Sequence, residues 1–255
     1  MKKCISSKVR TGLAAAAIAG AAGSAALAQD APIGSATEWQ GFYAGIQLNA
    51  TSFTVERADL DNQFNSNAPT QSANLFSGGI VAGYNYMLSD TFLIGGELEY
   101  NSRLENNTFF ATNAAGTTGR EYNDAFDNVI SLRARGGVVN GATLAYITGG
   151  VSQAKANFQT VEIDTGAGKT ECDNSRCAEW TDNVLGMVFG VGVEHEFRQN
   201  ITGKLEFLST QFESSQAPVT NSDGSSACAA GAVDTCTYTY TPRMMQFRIG
   251  VNYLF

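Results

Sequence analysis

The chain contains one histidine, His195, and four prolines in 255 residues, and charged residues make up only 16% of it. A lone imidazole and the lack of any recognisable catalytic motif leave little room for acid–base or nucleophile–base chemistry. Bases are scarcest beyond residue 28. The stretch from Gln29 onward carries all 24 acids but only 12 of the 16 bases, a net charge of −12. That balance excludes a nucleic-acid binder, which needs a basic footprint. The same stretch has no run of about 18 apolar residues, so no helix is expected to cross a membrane. Disorder is excluded too, because 44% of the residues are hydrophobic and 10% aromatic.

The bases missing from the rest gather at the start. Lys2, Lys3, Lys8 and Arg10 precede TGLAAAAIAGAAGSAALA, and Ala26-Leu27-Ala28 is a small-x-small cleavage site before Gln29. Residues 1–28 are therefore expected to be a signal peptide that is removed. Gly and Ser interruptions argue against the alternative, an Ala-rich helix that is kept. Cys4 leaves with the leader, and Cys172, Cys177, Cys228 and Cys236 remain. Two close pairs in an exported chain favour two disulfides, with the local pairings preferred. The rival is a four-thiolate zinc site, which the oxidising compartment and the Gly/Ser/Asn-rich surroundings oppose. No cofactor and no metal are expected.

The remaining chain alternates apolar and polar residues with period two in eight stretches, each long enough to be a tilted membrane strand. They begin near Gly41, Leu75, Phe92, Asn128, Thr143, Val184, Ile201 and Met244. In the last of these, Met245, Phe247, Ile249, Val251, Tyr253 and Phe255 share one face, and Gln246, Arg248 and Asn252 share the other. The Gly149-Gly150 pair leaves the register of the fifth stretch open, because it is a place for a bulge. Short connectors, at Ser89-Asp90, Asn140-Gly141 and Gln199-Asn200, alternate with long polar ones near 57–73, 104–127, 159–182 and 213–241. This predicts an all-β fold, an eight-stranded antiparallel transmembrane barrel. A soluble sandwich or lipocalin-like barrel would bury the apolar face instead. Two features favour the membrane form. The polar face is rich in Gly and carries both signs of charge. The apolar face places aromatics near strand ends, at Phe42, Tyr84, Tyr86, Phe92, Phe197 and Tyr253, as lipid-interface girdles do.

The terminal YLF, with Tyr253 and Phe255 two apart, resembles the signal that outer-membrane barrels present to their assembly machinery. With WQGFYAGIQLN, GGIVAGYNYML, GVGVEHEF and RIGVNYLF, the chain from about residue 39 to 255 resembles the small eight-stranded outer-membrane proteins. These are the surface-antigen and opacity-type relatives of the OmpA membrane domain. The resemblance implies a barrel over 41–255 and a periplasmic lead-in over 29–40. It also implies both mature termini in the periplasm and four surface loops. The implied partners are outer-membrane lipid and lipopolysaccharide, the barrel assembly machinery, and a host or surface ligand on the loops. Relatives of full OmpA length add a peptidoglycan-binding domain. This chain stops at its last strand, so that role is expected to be absent.

The inward face should carry Glu97, Glu99, Glu194 and Glu206 with Arg133, Arg135, Lys204 and Arg248, a set of zero net charge. An eight-stranded barrel is just wide enough for side chains to fill. These groups are expected to form a plug of ion pairs, with Glu97 and Glu99 opposite Arg133 and Arg135. The alternative is a narrow porin-like channel for ions or small solutes. Most of the acids fall in the long connectors, which also mix Tyr122, Trp180, Tyr238 and Tyr240 with Asn, Ser and Thr. That composition suits recognition, but for each residue alone packing against the barrel rim is the expected reading. The expected function is structural or surface-interacting: envelope integrity, surface antigen or adhesion. A lipid-modifying enzyme is the remaining class. It needs a base near the long connectors, whereas His195 falls on the apolar face near the short turns.

Overall fold

The computed structural model describes residues 38–255, apart from 60–69, 103, 113–114, 170, 173–174 and 228–235. The expected signal peptide, residues 29–37 and Cys228 lie outside the described residues. The described chain is almost entirely strand: β1 (Gly41–Asp59), β2 (Gln71–Met87), β3 (Phe92–Asn101), β4 (Leu104–Thr112), β5 (Thr118–Asn140), β6 (Thr143–Asp164), β7 (Cys177–Arg198), β8 (Ile201–Phe212), β9 (Ser215–Thr220) and β10 (Thr237–Leu254). Eight of them close an antiparallel ring in the order β1-β2-β3-β5-β6-β7-β8-β10, and β10 pairs back to β1 from Tyr43↔Leu254 to Asp59↔Tyr238. Closure leaves the ring no raw edge.

The short turns fall at one end. Ser89 Oγ accepts from the Phe92 N–H (3.1 Å), and Asn200, at φ 64°, receives its turn partner from Glu196, whose Oε1 accepts the Asn200 N–H (2.7 Å). Gly141, at φ 58°, supplies the left-handed residue of the Asn140-Gly141 hairpin. The β6 register is continuous through Gly149 and Gly150. The irregularity lies instead in its neighbour, between Phe126 and Val129 of β5. Gly150 is needed for close approach, since a Cβ there would lie 2.1 Å from the Leu132 carbonyl oxygen.

The other end departs from expectation. The stretches 104–127, 159–182 and 213–241 are expected to be long polar loops, but strands run through most of the first and into both ends of the second and third. β5 and β6 reach 23 and 22 residues. β4 continues the line of β3 along β5, and β9 continues that of β8 between β7 and β10. The ladder from β2 to β3 ends where the Ser102 N–H donates to the Gly78 carbonyl (2.8 Å). Beyond it, among the described residues, β4 pairs only with β5.

The polar outward face of these extensions hides them in the sequence, because the pattern inverts along a strand without a change of phase. In β10 the inward residues run Tyr238, Tyr240, Met244, then Gln246, Arg248, Asn252. The outward residues run Thr239, Thr241, Arg243, then Met245, Phe247, Ile249, Val251. In β1 the outward face changes from Ala50 to Ser52 and the inward face from Thr51 to Phe53 at the same level. Towards the short turns the barrel is apolar outside and polar inside. Towards the long connections it is apolar inside and polar outside, as a water-soluble barrel is. Phe53, Val55, Phe126, Phe158, Phe212, Tyr238, Tyr240 and Met244 pack into one buried cluster in this extension. Phe158 stacks on both Trp180 and Tyr240. Tyr238 and Tyr240, read as loop aromatics, are thus core residues, and Trp180 packs against that core.

One charge pair lies beside this cluster. Arg57 is ion-paired to Asp124, its guanidinium lies 4.8 Å from the Tyr122 ring centroid, and both side chains are buried. Burial holds the Asp124 carboxyl above the usual carboxylate range, against the opposing pull of the Arg57 charge. The folded protein therefore keeps this proton to higher pH than the unfolded chain does. The stability Asp124 contributes is present at low pH and lost as pH rises through its raised value. In denaturant titrations from pH 3 to 7, wild type should lose stability relative to Asp124→Asn as pH increases.

Candidate functional site

Below the apolar cluster, the strand alternation points one polar side chain inward from most strands at each level, and the ring brings them within contact. Glu97 of β3 and Arg133 of β5 face one another in register, as do Glu206 of β8 and Arg248 of β10, and Glu194 of β7 and Lys204 of β8. Arg133 is the hub. Its guanidinium lies 2.9 Å from Glu97, 3.1 Å from Glu99 and 3.1 Å from Glu206. Lys204 Nζ lies 3.2 Å from Glu97 and 3.5 Å from Glu206. Arg135 reaches Glu194 at 3.0 Å and Glu97 at 3.8 Å. Arg248 pairs with Glu99 and lies 3.6 Å from Glu206. All eight charged residues belong to one connected, buried network.

Neutral groups extend the network, and a count of charges alone missed them. Gln47 Nε2 donates to Glu99 (3.1 Å), Tyr146 OH to Glu206 (2.9 Å) and Asn252 Nδ2 to Glu194 (2.7 Å), while Arg135 Nη2 donates to Asn85 Oδ1 (2.7 Å). Thr202 also donates to Glu194. Each lies on the inward parity of its strand, so following that parity past the charged residues would have found them. The glycines of the inward face also gain a reason. The Tyr43 ring covers Gly83 and the Tyr146 ring covers Gly192, where a Cβ would lie 2.3 and 2.5 Å from the respective ring carbons. Both rings also flank the Arg135 guanidinium, at 4.3 and 5.2 Å from centroid to carbon.

The outward aromatics fall where the short turns are. Phe42, Tyr84, Tyr86, Phe92, Phe197, Tyr253 and Phe255 are all exposed there, and Phe42 packs edge-on against Tyr84. A second exposed set, Phe76, Tyr100, Phe207 and Phe247, marks the level at which the pattern inverts and was not singled out from sequence. His195 is exposed on the outward face near the Gln199-Asn200 turn, 2.9 Å from the Thr143 hydroxyl. Cys172 and Cys177 are bonded to each other, closing the β6–β7 connection, and Cys236 is disulfide-bonded as well.

A closed ring of eight strands with an apolar belt outside and ionised groups inside accords with the sequence, which matches the outer membrane protein beta-barrel domain family over residues 13–255. The chain belongs to that family. As a member it is an outer-membrane β-barrel, and its apolar belt is the surface that lipid covers. Among relatives, the 31 kDa outer-membrane immunogenic proteins of Brucella melitensis and Brucella suis are each 27% identical over 185 residues, 68% of this chain and 70% of theirs. Among solved structures, the outer membrane protease OmpT of Escherichia coli superposes with a TM-score of 0.51 at 10% identity, covering 84% of this chain and 96% of that one. Outer membrane protein OprG of Pseudomonas aeruginosa gives 0.47 at 14% identity, over 86% and 98%. At such identities the likeness speaks for the fold alone.

Removing one partner of a buried ion pair is far costlier than removing both, because a charge is left without compensation. Arg133→Met leaves three carboxylates short of a cation. It should lower unfolding stability in lipid vesicles by about 3–5 kcal/mol, read from urea titration of the heat-modifiable gel band. Gly192→Leu should cost about 1–3 kcal/mol by overpacking against Tyr146 in the same assay.

Proposed function

We propose that this protein is a structural and surface-interacting component of the outer membrane with a closed lumen, and not a general channel or an enzyme. The observation that carries this reading is the double filling of the interior. The eight charges, each paired, occupy the membrane level, and the aromatic cluster around Phe126 and Phe158 fills the barrel above them. A conducting path would have to break both layers, and only the first could open by exchange of ion-pair partners. The position of His195, outward and beside the short turns, supports a non-enzymatic role.

In this reading residues 1–28 are a signal peptide, and the short turns and both mature ends face the periplasm. The strand extensions and the long connections stand outside the cell. Tyr253 and Phe255 serve recognition by the assembly machinery, and the exposed aromatics anchor the belt at the membrane interface. The Brucella relatives bear the description immunogenic. Surface display of the acidic extension on this chain accords with an antigenic or adhesive role, with a host or surface ligand as the partner.

Two experiments test these statements. Purified, refolded protein in planar bilayers should show no current steps above background, in wild type and also in Arg133→Met, because the apolar cluster stays in place. Steady conductance in wild type would establish the channel reading instead. An epitope inserted after Gly224, in the exposed turn between β9 and β10, should bind antibody on intact cells. One inserted at Asn140-Gly141 should bind only after permeabilisation, and the reverse pattern would invert the orientation.

A further inference from the structure

The outward belt is not uniformly filled. At the level where the pattern inverts, four neighbouring strands present Phe76 of β2, Ala50 of β1, Phe247 of β10 and Phe207 of β8 in direct register. Ala50 is thus a gap one side chain wide between two exposed phenylalanines. One level closer to the short turns the row reads Gly78, Leu48, Ile249, Leu205, and the gap moves to Gly78. Beyond that, Ile80, Ile46 and Val251 fill the wall again. The result is a groove of about 590 Å³ floored by Ala50 and Gly78 and walled by Leu48, Phe76, Phe247 and Ile249. It continues past Ala50 towards Ser52, Asn74 and Met245.

From the Leu48 level to the Ser52 level is four residues, about 13 Å along the strand, a large part of one leaflet's share of a hydrocarbon core about 30 Å thick. The groove opens on the belt that lipid covers, so its occupant must come from the bilayer. Its upper end is polar, with Ser52 and Asn74 at the rim, while Ser102 borders the floor beside Gly78. Arg243 stands two positions above Met245, half exposed, its guanidinium 3.4 Å from Glu56. An apolar slot that ends beneath a cation is complementary to a hydrocarbon chain attached to a phosphate.

We propose that this groove seats one acyl chain of lipid A, with a headgroup phosphate drawn towards Arg243, as a fixed site distinct from the exchanging lipid around the belt. The inference deepens the lipid-contact reading and rests on the embedded belt. The slot ends at the strand extensions, which stand outside the cell in the reading above, so the occupant is the phosphate-bearing lipid of the outer face, lipid A, and phosphatidylglycerol is the alternative that the test excludes.

Gly78 offers a clean variant. A Cβ there meets nothing nearer than 3.9 Å, so Gly78→Leu fills the groove without disturbing the strand. Gly136, on the outward face of β5 with its nearest atom at 4.0 Å, gives the matched control Gly136→Leu away from the groove. Refolded proteins in detergent would be titrated with lipid A, phosphatidylglycerol or diacylglycerol, and bound lipid counted by native mass spectrometry. The expected result is one retained lipid A on wild type and Gly136→Leu. Retention should fall about tenfold in Gly78→Leu, and Arg243→Gln should erase the preference for phosphate over diacylglycerol. Preferential retention of phosphatidylglycerol would overturn the assignment to lipid A. Equal retention by Gly78→Leu and wild type, unsaturable addition of many lipids to all variants, or a dimer that Gly78→Leu abolishes would overturn the proposal. Heat-modifiable mobility of each variant reports insertion separately, so a failed lipid site is distinguishable from a failed barrel.

Discussion

Eight ionised side chains enclosed by a cylinder of strands can be tolerated only if each finds a counter-charge, and the rest of this molecule is arranged around that requirement. Four carboxylates and four cations must converge although they come from β3, β5, β7, β8 and β10. Ring closure is what brings Arg248 of the last strand to Glu99 of the third. The glycines opposite Tyr43 and Tyr146 leave room for rings that flank Arg135, and neutral amides such as Gln47 and Asn85 take up remaining lone pairs and protons. A network of this kind gives little stability relative to an apolar core of the same volume. Its contribution is a single arrangement, because any strand slipped by one residue would turn charges towards lipid.

The second constraint is the change of solvent along each strand. Where lipid surrounds the barrel, the outside must be apolar and the inside may be polar. Where water surrounds it, burial of apolar area is again the driving force and the inside must be apolar. The chain meets both demands without a change in strand phase, so Arg248 and Tyr240 point into the same cylinder from one strand. The exposed ring of Phe76, Tyr100, Phe207 and Phe247 marks the boundary between the two regimes.

The sequence was legible wherever a single solvent governed. The outward run from Met245 to Phe255 and the inward acids and bases could be read by parity, because alternation and charge agree there. Short turns were legible because Asn-Gly and Asn200 carry specific backbone chemistry. The extensions were not, since Thr239, Thr241 and Arg243 on the water side look like loop residues when lipid is the assumed surroundings. For the same reason Tyr122, Tyr238 and Tyr240 read as loop aromatics packed on the rim, not as barrel core, and Asp124 as one more solvated acid. The Ala50–Gly78 groove was invisible because it depends on which residues stand side by side across three strands, and one strand's pattern does not contain that register.

Ring closure through β1 and β10 has a consequence for biogenesis. The first strand waits for its second neighbour until some two hundred residues have been delivered, so the interior contacts are almost all distant in sequence. Until then two raw strand edges and a half-assembled set of charges face whatever is nearby. A partially built ring is therefore poorly suited to water, and pairing of β1 with β10 is the single step that removes both open edges at once.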